Sequence, residues 1–237
     1  MEVNRLESIK DGTILLIDKP YGWTSFDVVG KLRSLIKKYT GDKSTKIGHA
    51  GTLDPLATGL LVICTGKATK RVMELTADSK EYIARIKLGE TTPSFDLETE
   101  VDAIYPFEHV NRELVETVLK TFTGWQMQEP PAFSAKYVNG KRAYEYARKG
   151  VDPKLEPVPI EIQSIELIGS DLPFLTIKTL CSKGTYIRAL ARDIGKSLGT
   201  GAHLVELRRT HSGAFSIEQA LTIAEVEKKL SDLGNQS

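Results

Sequence analysis

Strand-like runs recur along the chain, and several alternate apolar and polar residues, a period of two that predicts one buried face. They are "TILLID" (13 to 18), "EYIARIKLG" (81 to 89), "FSAKYVNG" (133 to 140), "IEIQSIELI" (160 to 168), "FLTIKTLC" (174 to 181) and "HLVELRR" (203 to 209). A further run, "GLLVIC" (59 to 64), is apolar almost throughout and predicts a strand. Asn139-Gly140 supplies a turn after one of them. Helical spacing falls between these strands. Phe26, Val29, Leu32, Leu35, Ile36 and Tyr39 recur after the capping candidates Thr24 and Ser25; Leu114, Val118, Leu119 and Phe122 recur after Asn111; Ile187, Leu190, Ile194 and Leu198 recur within "TYIRALARDIGKSLG". "LTIAEVEKKLSDLG" predicts a terminal helix before a polar tail. No repeat or linker interrupts the pattern, so we expect one mixed α/β domain over residues 1–237, dominated by meandering strands.

At 41% hydrophobic and 27% charged, 237 residues bury a real core. The longest apolar run, "LLVIC", is far shorter than the ~20 residues of a membrane span, and the N-terminus lacks a basic region followed by an apolar one. These features predict a cytoplasmic protein without membrane association. Cys64 and Cys181 form no CxxC pair, and His49, His109, His203 and His211 show no zinc spacing, so neither a disulfide framework nor a metal site is expected.

The net charge of +1 conceals a strong polarity. Residues 31–71 carry nine Lys/Arg against two Asp, whereas residues 72–118 carry four against eleven acidic groups. Residues 136–150 and 178–211 are basic again, at net +4 and +5. Such clustering suits a polyanion-binding face as well as ordinary solvated surface.

One carboxylate stands out, Asp54 in "GHAGTLDPLATGLL" (48 to 61), among glycines and next to a proline. Phosphate-loop templates do not fit the surrounding glycines. Gly59 lies seven positions before Gly66 where GxxxxGK[ST] needs five, Lys67 is followed by Ala68, and Gly48 and Gly51 do not make GxGxxG. No GxSxG occurs either. By local sequence alone, an aspartate in such a loop is a turn-former.

The assignment changes with a resemblance that spans nearly the whole chain. "DKPYGWTSFDVV" (18 to 29), "GHAGTLDPLATGLLVICTGKATK" (48 to 70), "KEYIARIKLGETTPSFD" (80 to 96), "PPAFSAKYVNGKRAYEYARKG" (130 to 150), "CSKGTYIRALARDIG" and "GAHLVELRRT" (181 to 210) closely resemble, in order, bacterial tRNA pseudouridine synthases of the TruB type. The resemblance implies an α+β pseudouridine synthase fold: a mixed, mainly antiparallel sheet with helices around a central catalytic cleft. Most bacterial members add a C-terminal RNA-binding domain of the PUA type, and none is expected within these residues. The implied reaction converts uridine 55 in the T loop of elongator tRNAs to pseudouridine, without a cofactor.

The same resemblance assigns roles residue by residue. Asp54 is the carboxylate that attacks, or stabilises charge, while the base is detached; C6 attack, C1′ attack and a glycal route all remain open. Arg188 is its cationic partner, although its position off the Ile187/Leu190/Ile194 stripe by itself reads as a surface helix charge. Tyr82, a core aromatic by alternation, is placed against the target base. Tyr186 is a second pocket tyrosine and Leu207 an apolar wall. His49 fills the space left by the flipped uridine, and Lys19 with Pro20 supports the pocket. The expected partner is the T arm of tRNA, bound by a monomer with the basic stretches along its phosphates. A tRNA-binding folding aid with dispensable catalysis, or a synthase for another RNA, are the alternatives; a phosphate-binding NTPase is disfavoured by the failed spacing.

Overall fold

The structure, a computed structural model, describes residues 4–76 and 78–234. The polar tail expected after the last helix lies outside the described residues. In chain order the strands are β1 (Ile14–Lys19), β2 (Ile47–Ala50), β3 (Ala57–Thr65), β4 (Lys80–Leu88), β5 (Glu90–Thr91), β6 (Ala103–Ile104), β7 (Gly124–Gln128), β8 (Tyr137–Val138), β9 (Lys141–Arg142), β10 (Val158–Asp171), β11 (Phe174–Cys181), β12 (Ala202–Ser212) and β13 (Phe215–Ser216). The helices are α1 (Ser25–Thr40), α2 (Val72–Thr76), α3 (Arg112–Thr121), α4 (Ala143–Ala147), α5 (Ile187–Ser197) and α6 (Ile223–Gly234). The chain divides into two compact units: residues up to Tyr82 with those from Arg208 onward, and Ile83–Leu207.

In the first unit, β1 runs antiparallel to β3 with Ile14 opposite Cys64 and Lys19 opposite Gly59, and β2 pairs antiparallel with the C-terminal half of β3, Ala50 opposite Val62 and Ile47 opposite Thr65. The apolar run predicted at 59 to 64 is buried throughout because β3 is covered on both faces. Ile14, Leu16, Leu60, Val62 and Cys64 pack with Leu75 and Phe215. Helix α1 buries Val28, Val29, Leu32, Leu35 and Ile36, and α6, which lies against it, buries Val226 and Leu230. Thr24 caps α1 as predicted: its hydroxyl accepts from the Asp27 N–H while Asp27 accepts from the Thr24 N–H. Phe26 departs from the predicted stripe. It is 70% exposed on the first turn, and Val28 takes the buried face.

In the second unit, β11 and β7 flank β10 antiparallel. Strands β4 and β11 show the strict alternation expected of one buried face, and α3 packs on β10. Asn111 caps α3 through the Leu114 N–H, but the helix buries Val115 and Leu119 and leaves Leu114 and Val118 half-buried. The strand predicted at 133 to 140 shrinks to Tyr137–Val138, paired with Lys141–Arg142 across an Asn139-Gly140 turn with both residues at positive φ. Residues 133 to 136 leave the strand because their carbonyls are taken elsewhere: Arg188 donates to Phe133, the Tyr144 N–H to Ser134, the Arg142 guanidinium to Ala135 and the Ala143 N–H to Lys136. Among the described residues no helix is long and apolar enough to cross a membrane.

Gly59 is the tightest point of the first unit. Its φ is +100°, and a Cβ there would lie 2.3 Å from the Arg209 carbonyl oxygen of β12. Gly59→Ala therefore destabilises the fold by about 2 kcal/mol or more, combining a disfavoured backbone region with a backbone clash. Urea denaturation checks this beside Thr24→Ala, which removes only a cap and costs about 1 kcal/mol.

Candidate active site

Asp54 lies in the loop between β2 and β3, and the first unit fixes that loop at four successive points. The Ser25 hydroxyl, on the first residue of α1, donates to the Leu53 carbonyl at 3.1 Å and accepts from the Leu53 N–H at 2.9 Å. The Pro55 carbonyl accepts from the Gly22 N–H at 2.9 Å and from Lys19 Nζ at 3.3 Å. The Ala57 N–H closes the turn onto the Asp54 carbonyl at 3.1 Å. Upstream, the Arg209 guanidinium donates to the Gly51 carbonyl at 3.1 Å and to Thr52 at 3.5 Å, while its Nε reaches Leu60 in β3 at 2.6 Å. Asp54 itself is partly exposed. The backbone and neighbouring side chains thus hold the loop that carries it.

Lys19 and Arg209 are buried cations, 0% and 1% exposed. Lys19 Nζ donates to the carbonyls of Pro20 at 3.0 Å and Trp23 at 2.6 Å as well as to Pro55. Burial pushes its pKa down from 10.5 to about 8, against the pull of the Asp54 charge, with Arg209 lowering it further. His49, in β2, is half-buried; burial and then the Arg209 charge lower its pKa, and a hydrogen bond with the Gly51 backbone opposes them. It is neutral at pH 7, and its Nδ1 is buried with no hydrogen-bond partner among the described residues. Tyr82 is 9% exposed on the inward side of β4, as the alternation predicts.

The other assigned residues belong to the second unit. Arg188 is 4% exposed, which corrects its reading as a surface helix charge: α5 also buries Ala189 and Ala191, so more than one of its faces is covered. Its guanidinium donates to the carbonyls of Ser94 at 3.2 Å and Phe133 at 3.0 Å and lies 3.5 Å from the buried Asp96 carboxylate. Between Ser94 and Asp96, Phe95 has φ of +62°, a strained value for a bulky residue, and its ring stacks against Arg192. Tyr186 is half-buried just ahead of α5, with its backbone bracketed by Gln128, whose side chain accepts from the Tyr186 N–H and donates to its carbonyl. Leu207, at the end of this unit, is half-buried.

Three supporting groups were given no part in the site from the sequence: Ser25, named there only as a capping candidate, Arg209 and Gln128. A signal existed for Arg209. Adjacent residues on a strand face opposite ways, and of the pair in "ELRRT", Arg208 turns to Asp18 in a bidentate pair at 3.0 and 2.7 Å while Arg209 turns inward.

The Lys19 environment has a measurable consequence. NMR of the lysine side chains shows one ammonium titrating near pH 8 instead of near 10.5, and that signal is absent in Lys19→Arg. Because the folded pKa lies below the unfolded one, this group binds fewer protons in the folded state between those values. The fold therefore gains stability as pH rises from 8 towards 10.5, relative to the variant.

Comparison with known proteins gives the family. Residues 37–187 match the N-terminal domain of TruB family pseudouridylate synthases, and residues 188–235 match the tRNA pseudouridylate synthase B C-terminal domain. A tRNA pseudouridine synthase B of Parabacteroides distasonis is 56% identical over 216 residues, covering 91% of this chain and 92% of the relative. One from Flavobacterium johnsoniae is 48% identical, covering 94% and 98%. Among solved structures, the chain is similar to that of a Cbf5-Nop10-Gar1 complex, with TM-score 0.71 and 31% identity. It is also similar to an H/ACA RNP bound to a substrate RNA containing 2′-deoxyuridine, with TM-score 0.67 and 29% identity. It covers 94% of its own length in both and spans about half of those chains, 55% and 54%. With both family models matched in succession and relatives this similar along almost their full length, the chain belongs to the TruB family of pseudouridylate synthases.

Proposed function

We propose that this protein isomerises uridine to pseudouridine in tRNA, at position 55 of the T loop. The observation that carries the reading is the Asp54 loop, locked by Ser25, Lys19, Gly22 and Arg209, in a chain 56% identical to a tRNA pseudouridine synthase B. The reaction breaks the bond from uracil N1 to C1′, turns the base and joins C5 to C1′. The proton on C5 leaves to solvent and N1 gains one, so no oxidant, reductant or phosphate energy enters. What it demands is a fixed, ionised carboxylate beside a sugar and base that have left the helical stack.

In this reading Asp54 is the nucleophile or the charge stabiliser, and Arg188 has the cationic role that the resemblance assigns to it. Tyr82 stacks on the uracil and its hydroxyl reaches the departing C5 proton; Tyr186 and Leu207 have the substrate-binding roles that the resemblance assigns to them. His49, uncharged and with a buried nitrogen to satisfy, takes the place of the flipped uridine. Lys19 acts through the loop it holds. The enzyme works as a monomer on the T arm, in the cytoplasm where its substrate is. The β8–β9 hairpin and α4 contribute basic contacts to the phosphates. Arg148 is paired with Glu98 and Arg142 stacks on Tyr137, whereas Lys141 and Lys149 are exposed and form no ion pair among the described residues.

Two measurements test this. With a tRNA transcript carrying tritium at C5 of uridine, the intact protein releases label to near the stoichiometry of position 55. Asp54→Asn lowers the rate by about 10³-fold or more while still binding tRNA. No release by the intact protein despite salt-dependent binding refutes the reading. Lys141→Ala and Lys149→Ala each weaken tRNA binding and reduce the slope of log K against log salt by about one, without lowering kcat. An unchanged slope removes the hairpin from the interface.

A further inference from the structure

A strained point of the second unit lies at Phe95, in the loop between β5 and β6. Its φ of +62° is a region that glycine or asparagine enters readily and a bulky side chain does not. Such a backbone persists only where its surroundings over-determine it. The Phe95 N–H donates to the Thr92 carbonyl at 3.0 Å, and the Phe95 carbonyl accepts from the Leu204 N–H of β12 at 2.9 Å. Next to it, the Asp96 carbonyl accepts from the Thr92 hydroxyl at 2.7 Å and the Ser94 hydroxyl at 3.2 Å. The Asp96 carboxylate accepts from the Glu98 N–H at 2.9 Å. The Phe95 side chain adds a contact that glycine could not make: the Arg192 guanidinium lies over its ring, 4.7 Å from the centroid.

The kink has a target. Ser94 and Asp96, on either side of Phe95, both turn to Arg188, through the Ser94 carbonyl at 3.2 Å and the Asp96 carboxylate at 3.5 Å. Arg188 and Arg192 lie one turn apart on α5 and so share a face. The kinked segment therefore docks on α5 at two successive arginines, with polar groups on the first and an aromatic ring on the second. Arg192 is itself held, because its guanidinium donates to the Asp193 carboxylate at 2.8 Å and to the Glu129 carbonyl at 3.2 Å. The ring thus rests against a fixed plate.

The separation of Asp96 from Arg188 shows what the docking does. A charge-assisted contact left to itself closes to about 2.8 Å. This one stands off at 3.5 Å, although both side chains are buried and water does little to screen their attraction. An aspartate on a relaxed turn is free to close on the guanidinium; one on a strained and docked turn is held back. The stand-off keeps Arg188 from being drawn wholly onto Asp96 and leaves its direction to the Ser94 and Phe133 carbonyls.

We propose that Phe95 and Arg192 are positioning residues for Arg188: their stack maintains the strained turn and, through it, the direction of the guanidinium. The inference rests on the cationic role given to Arg188 above. Neither residue touches the reacting uridine; each acts through Arg188. The strain at Phe95 is then the means by which two groups on one short segment are aimed at a single side chain, and the ring on Arg192 is what keeps that segment from relaxing.

The test is a double-mutant cycle on the full chain, with Phe95→Gly, Arg192→Met and the two combined, read by single-turnover tritium release from a tRNA transcript. Each single variant lowers the rate about tenfold at unchanged Kd for tRNA, and the combined variant is no slower than either, because both break one stack. Phe95→Tyr, which keeps the ring, stays within about twofold of the intact protein. NMR supplies a readout that a merely structural role would not move: the Arg188 Nε–H resonance shifts in both single variants and to the same place. Thermal melts verify that the variants are folded; Arg192→Met, at a half-buried side chain, carries the test with the resonance if Phe95→Gly does not fold. Unchanged rates in the single variants overturn the proposal. So do losses that multiply in the combined variant, or a weaker Kd at an unchanged rate, which would put these side chains against RNA directly. Full activity of Arg188→Met defeats the role given to Arg188 instead, and the Arg188 resonance then decides the stack: if it does not move in either single variant, the proposal falls.

Discussion

Two buried cations hold the backbone on which the rest of the site is built. Lys19 and Arg209 donate to carbonyls on the segments that flank and carry Asp54, and among the described residues neither has a carboxylate within 4 Å. Burying such charges costs several kcal/mol each unless hydrogen bonds replace the lost water. Here carbonyl oxygens do so, with charge-assisted bonds stronger than neutral ones. The depressed pKa of Lys19 shows that the replacement is incomplete for an ammonium. Arginine cannot shed its proton, so the deeper role falls to Arg209, whose planar fork spans both β3 and the loop. Removing either cation would leave carbonyls turned inward without donors, and the loop would have to move to find water.

This explains which parts were legible in the sequence. The strands at 13 to 18, 59 to 64, 81 to 89 and 174 to 181 were visible because alternation, or its absence, records how many faces are buried. Thr24 was visible because a cap is a local device. The loop clamps were not. Ser25 reaches across 28 positions to Leu53, and Arg209 across 149 to Leu60. Nothing in the spacing of a serine or an arginine encodes a carbonyl that distant. Arg188 misled for a related reason: a stripe along one helix face assumes one buried side, and α5 has more. The importance of Asp54 came from the resemblance, since a carboxylate between glycines is by composition a turn residue.

Charge along the chain resolves in a similar way. The basic excess in 31–71 is not one patch. Lys31 and Lys38 face Glu227 of α6 in exposed pairs, Arg71 pairs with Glu74, and Lys46, Lys67 and Lys70 gather around one surface cleft. Exposed pairs of this kind contribute little to stability and lower the charge available to a polyanion. Lys46, Lys67 and Lys70, which the turn after α1 and the turn after β3 bring together, form no salt bridge among the described residues. Net charge by segment located the excess, but only the fold separates charge that is paired from charge that is not.

The rigidity of the Asp54 loop has a chemical logic in the proposed isomerisation. The base that leaves through N1 returns through C5, so during the reaction the uracil must turn while the sugar and the carboxylate keep their places. A mobile aspartate would follow the base and lose the geometry for the second bond. A loop fixed by backbone hydrogen bonds on both sides of the carboxylate removes that freedom before substrate arrives, so the ordering entropy is not drawn from the reaction itself. The motion is then confined to the uracil within its pocket. On this view the buried Lys19 and Arg209 serve catalysis without touching the substrate, by making the carboxylate the fixed point about which the base rotates.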